Sequence, residues 1–80
     1  MKLYNKNDVF IINYNFGSMP FHFIVSVAKR WQVFFSTPEF QEKICQGRVD
    51  LKRYGTILEK DFGHIDRAEA EEILAKLQAK

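Results

Sequence analysis

The sequence predicts a small α+β domain, with an antiparallel β-hairpin or small sheet packed by two or three short helices and residues 1–80 as one unit. Three observations carry that reading. Residues 8–28 are rich in Val, Ile, Phe and Tyr and are split by a single turn segment. Residues 37–47 open with helix-start chemistry and close on a glycine. Residues 66–78 hold an apolar stripe at helical spacing. At 80 residues, 46% hydrophobic and 28% charged, the composition is that of a folded soluble chain with room for one modest core.

The first strand is expected over 8–15 and a second from Phe21 to Ala28. Between them Gly17-Ser18-Met19-Pro20 is turn chemistry, a permissive φ followed by a fixed one, which predicts a loop of about four residues. Residues 28–36 fit two templates. Trp31, Val33 and Phe35 alternate as a strand would, whereas Ala28, Trp31, Phe34 and Phe35 share a helical face. Lys29-Arg30 supplies no turn-forming residue, which favours the helix. Thr37-Pro38-Glu39 then starts a helix with a hydroxyl cap, a first-turn proline and an acid at the positive dipole end. Phe40 and Ile44 share its inner face, and Gly47 stops it. Tyr54 to Leu58 is expected as a short strand or a single closing turn. In the last helix Asp66 caps, with Glu69 three residues on and Ile65 stapling onto Ala70. Ala70, Ile73, Leu74 and Leu77 form its apolar stripe, while Glu71, Glu72, Lys76 and Lys80 face water.

The balance of 12 Lys+Arg against 10 Asp+Glu excludes a disordered polyelectrolyte and a histone-like chain. Cys45 is the single cysteine, so no intramolecular disulfide forms, and a reducing, cytoplasmic setting is expected. From Val9 to Ala28 no residue carries a formal charge, a stretch as long as a membrane span. Its middle, from Asn13 to Pro20, would be costly in a bilayer and would break a helix, so no span is expected. A signal peptide fits no better, because Lys2 and Lys6 are followed by Asp8 and then only a short apolar run.

Catalytic chemistry finds little support. Neither G-x-G-x-x-G nor G-x-x-x-x-G-K is present, so no nucleotide cofactor is expected. His22, Cys45, His64 and Asp66 are the possible metal ligands, and one cysteine cannot supply the usual zinc spacings. Cys45 falls late in its helix, far from the end that would activate a thiol. Ser18, Ser26 and Ser36 read as turn, strand and helix-boundary residues. Glu39/Glu42 and Glu69/Glu72 are helix-surface spacings. With no convergent polar set the chain is expected to be non-enzymatic and free of cofactors and metals.

Two binding readings remain. Aromatics are 15% of the chain, and Val9-Phe10-Ile11-Ile12 and Phe23-Ile24-Val25-Ser26-Val27 are apolar on both strand parities. Both sheet faces therefore want cover, which points to a protein partner or a homodimer bound through Phe10, Ile12, Phe23, Ile24, Val25 and Val27. The alternative is single-stranded nucleic acid. Lys29-Arg30-Trp31 and Lys52-Arg53-Tyr54 each set a basic pair beside an aromatic, the pairing of backbone charge with a stacking surface that single strands favour.

Overall fold

The computed structural model describes residues 2–78. Among the described residues four strands and three helices make a small α+β domain: β1 (Lys2–Lys6), β2 (Val9–Phe16), β3 (Met19–Val27), α1 (Lys29–Phe35), α2 (Pro38–Cys45), a 3-10 turn (Leu51–Arg53), β4 (Gly55–Phe62) and α3 (Arg67–Gln78). The strands pair in chain order as one antiparallel sheet.

Both hairpin loops are two residues long. Asn7 (φ 54) and Gly17 (φ 65) take the left-handed conformation that matches the twist of the flanking strands. The expected four-residue loop is thereby corrected. Met19 and Pro20 belong to β3 and pair with Phe16 and Asn15, and proline is tolerated because it sits at the strand's start. Residues 29–35 are helical, as the lack of a turn signal favoured. β1 is an element the sequence pattern did not announce, and β4 runs well past Leu58.

Helix ends follow local chemistry, with one departure. Gly47 (φ 73) ends α2, its N–H donating to Ile44 O (3.0 Å) while the Arg48 N–H donates to Lys43 O (3.1 Å), the paired bonds of a Schellman motif. Asp66 Oδ1 accepts from the Glu69 N–H at 2.8 Å, the capping bond expected for α3. Thr37 does not cap α2. Its hydroxyl donates backwards to Phe34 O (2.8 Å), so the end of α1 claims it first. Lys80 lies outside the described residues.

Period-two alternation then builds two cores. On one face Phe10, Ile12, Val25 and Val27 pack against Phe35, Phe40, Ile44 and Leu51 from α1, α2 and the 3-10 turn. On the other, Val9, Ile11 and Ile24 pack against Ile65, Ala70 and Leu74. Hence Phe10, Ile12, Ile24, Val25 and Val27, expected to face a partner, are buried by the chain's own helices. The doubled parity is the mark of a sheet covered on both sides from within one chain. Phe23 alone of that set is half-buried. Leu77 rides at the margin of its stripe and is exposed.

Gly55 locks the far end of the sheet. It pairs with Val27, and a methyl group in its place would overlap the Ser26 carbonyl. Backbone proximity demands glycine there.

Candidate functional site: a basic and aromatic face

The two basic-aromatic triplets are 20 or so residues apart in sequence, and the fold joins them. The Ala28 N–H donates to Tyr54 O at 2.9 Å, which fastens the start of α1 to the residue before β4. Asp50 Oδ1 accepts from the Lys52 N–H at 3.2 Å and shapes the 3-10 turn that carries Lys52 and Arg53. Trp31 and Tyr54 consequently meet edge to face, with ring centroids 5.1 Å apart at 90°. The Arg30 guanidinium lies 5.5 Å from the Trp31 centroid, within cation–π range. Trp31, Arg53 and Tyr54 line one shallow pocket of about 290 Å³. Lys29, Arg30, Lys52 and Arg53 are all exposed. Among the described residues the Trp31 indole Nε1 is the one buried side-chain nitrogen or oxygen without a hydrogen-bond partner.

Charge is sorted by face. On the α1/α2 side lie Lys29, Arg30, Lys43, Arg48, Lys52, Arg53 and Lys60, seven bases against Glu39, Glu42 and Asp50. Lys60 takes this side because it pairs with Phe23, while its neighbours Glu59 and Asp61 pair with Ile24 and His22 and face α3. The α3 side adds Asp66, Glu69, Glu71 and Glu72 against Arg67, Lys76 and Lys6. A modest formal charge of +2 thus conceals a basic face backed by an acidic one.

The basic face ends in an aromatic cluster at the free end of the sheet, with Phe23 at the margin of the α1/α2 core. Tyr14, Phe21 and Phe23 form a cluster, Tyr14 stacking on Phe23 at 5.3 Å and 6°. Phe62 meets Phe21 edge-on at 5.3 Å. Phe62 is 66% exposed, Phe16 74% and Met19 49%. Burial pushes the Tyr14 phenol above its ordinary range, so it stays neutral. Sequence reasoning missed Phe62 and Lys60. Their shared parity in β4 was the available signal, hidden because Glu59-Lys60-Asp61 reads as a solvated charge run.

Polar side chains near α3 hold the fold together. Asn13, buried on the α3 side, donates through Nδ2 to Ile65 O (2.7 Å) and accepts the Ile65 N–H on Oδ1 (2.8 Å). His22 faces Gly63 O (3.0 Å) through Nδ1 and Glu59 (3.4 Å) through Nε2. His64 Nε2 donates to Tyr14 O at 3.2 Å. A cleft of about 530 Å³ brings Asn13, Cys45, His64 and Asp66 to one rim, with the Asn13, His64 and Asp66 side chains engaged in these backbone bonds. Cys45 is half-buried, and burial pushes its thiol pKa up, which keeps it protonated and weakly nucleophilic at neutral pH. Among the described residues no three His, Cys, Asp or Glu side chains are grouped as a metal site requires. Nor is any described helix long and apolar enough to cross a membrane.

Fold and site together define a small α+β domain with one basic, aromatic face. Comparisons with protein-family models, with curated proteins and with solved structures give no match for the chain.

Proposed function

We propose that the chain is a small, non-enzymatic binding module that takes single-stranded nucleic acid on its basic and aromatic face. The carrying observation is the edge-to-face contact of Trp31 with Tyr54, which merges two basic-aromatic triplets into one patch. Lys29, Arg30, Lys52 and Arg53 supply phosphate contacts, and the Trp31 and Tyr54 rings offer surface for bases. A cytoplasmic setting belongs to this reading and rests on the lone Cys45. Trp31 is the single tryptophan, so its fluorescence reports directly on occupancy. A mixed-sequence oligonucleotide should quench it at low salt, with affinity falling steeply as salt rises. Replacing all four basic residues with Gln should flatten that slope. Absence of quenching at low salt would sink the reading.

A second reading, a protein partner or a second copy of the chain, is favoured by the exposure of Phe16, Met19 and Phe62. It transfers the expected partner surface from the buried strand residues to the free end of the sheet. Sedimentation at micromolar concentration should then give a dimer. A monomer that binds no hydrophobic dye would remove it.

A further inference from the structure

We infer that the aromatic end of the sheet is a second stacking platform for the same single strand, reached from the Trp31/Tyr54 patch along β4. This extends the nucleic-acid reading and rests on it. Four observations converge. Tyr14, Phe21, Phe23 and Phe62 come from three adjacent strands and present their rings on one sheet face. That face is the basic one, and the acids of β4, Glu59 and Asp61, point to the opposite side. A groove of about 280 Å³ beside the patch is lined by Lys52, Asp50 and Lys60 together with Tyr14 and Phe23. Phe62, the outermost ring, is 66% exposed although it takes part in the cluster.

Charge decides the occupant. The groove sets Lys52 and Lys60 against Asp50, whose Oδ1 already accepts the Lys52 N–H, so it stays net positive. An apolar protein surface gains nothing from that charge, whereas a phosphate backbone running between two sets of rings needs cations there. Aromatic rings accept any base, because every base has a π-face, so the platform selects for single-strandedness rather than sequence. β4 spans eight residues from Gly55 to Phe62, about 25 Å of extended chain. The combined track is therefore longer than the patch alone.

The test is a length series read by Trp31 quenching, with oligonucleotides of about four and about twelve nucleotides. Wild type should bind the longer strand about a hundredfold more tightly. In Phe62→Ala, which removes an exposed ring and no core, that ratio should fall to about ninefold, the statistical advantage of about nine registers for a patch of about four nucleotides on a strand of about twelve, and Lys60→Gln should lower it in a salt-dependent way. Melting temperatures of both variants establish that they are folded. A ratio unchanged in Phe62→Ala overturns the platform and leaves the patch standing. If neither oligonucleotide quenches Trp31, the underlying reading falls with it. A nucleic-acid-free dimer that Phe62→Ala converts to monomer also overturns the platform, in favour of a second copy as occupant.

Discussion

Asn13 occupies a position where strand alternation would put an aliphatic side chain, on the same face as Val9 and Ile11. It is 4% exposed. Its amide supplies one donor and one acceptor to the backbone of Ile65, so it acts as a strand partner one residue long and sets the entry to α3. Asn13→Leu keeps the branched outline, is somewhat bulkier and strands both Ile65 groups, and it should cost about 1–3 kcal/mol in urea unfolding. Asn13→Asp retains the acceptor but turns a carboxylate towards Ile65 O. Its stability should rise as pH falls and the new side chain regains a proton to donate. An Asn13→Leu protein as stable as wild type would show that water replaces the amide without loss. Cys45 offers a second check at this scale. Because burial holds the thiol protonated, alkylation at neutral pH should be slow in the folded protein and fast in denaturant.

Among the elements, α3 is the plainest case of a sequence reading itself out. Its stripe, cap and staple are all local, and local signals survive into the fold. Leu74 is buried mid-stripe against Val9, Ile11 and Ile24, so Leu74→Ala should cost about 2–5 kcal/mol, measurable as a lowered melting temperature. A shift of only a degree or two would mean that α3 is not held by its stripe. The strands were less legible, for a physical reason. β1 has only Leu3 and Tyr4 to mark it, and they point to opposite faces, each contributing to a different core. Glu59-Lys60-Asp61 alternates charge rather than hydrophobicity, so β4 looks like a surface loop until its pairing with β3 is known. Charges on an edge strand also discourage pairing with another chain. The basic-aromatic triplets were legible one at a time, whereas their contact is fastened by the Ala28 N–H bond to Tyr54 O, which no local pattern encodes.

Over the whole molecule the dominant feature is the opposition of its two faces. Charge sorted this way acts at a distance, steering an anionic partner onto the α1/α2 side before contact. Two double variants separate face from net charge. Lys52→Gln/Arg53→Gln and Arg67→Gln/Lys76→Gln remove the same formal charge from opposite sides. The first should weaken retention on a cation exchanger much more than the second. Equal losses would mean that the matrix senses only the total.

The order of the elements matters while the chain is being made. β1 to β4 can assemble before α3 exists, since each strand pairs with its predecessor in the chain. Val9, Ile11 and Ile24 then wait, wetted, for a helix that follows them in the message. At roughly 5–20 residues per second the delay between Phe62 and Gln78 is about one to three seconds. A transcript broken anywhere in that interval yields a finished sheet with one greasy side, the exposed surface on which chaperones and proteases act. α3 is thus a seal over Val9, Ile11 and Ile24, and a polypeptide lacking it carries its own mark for removal.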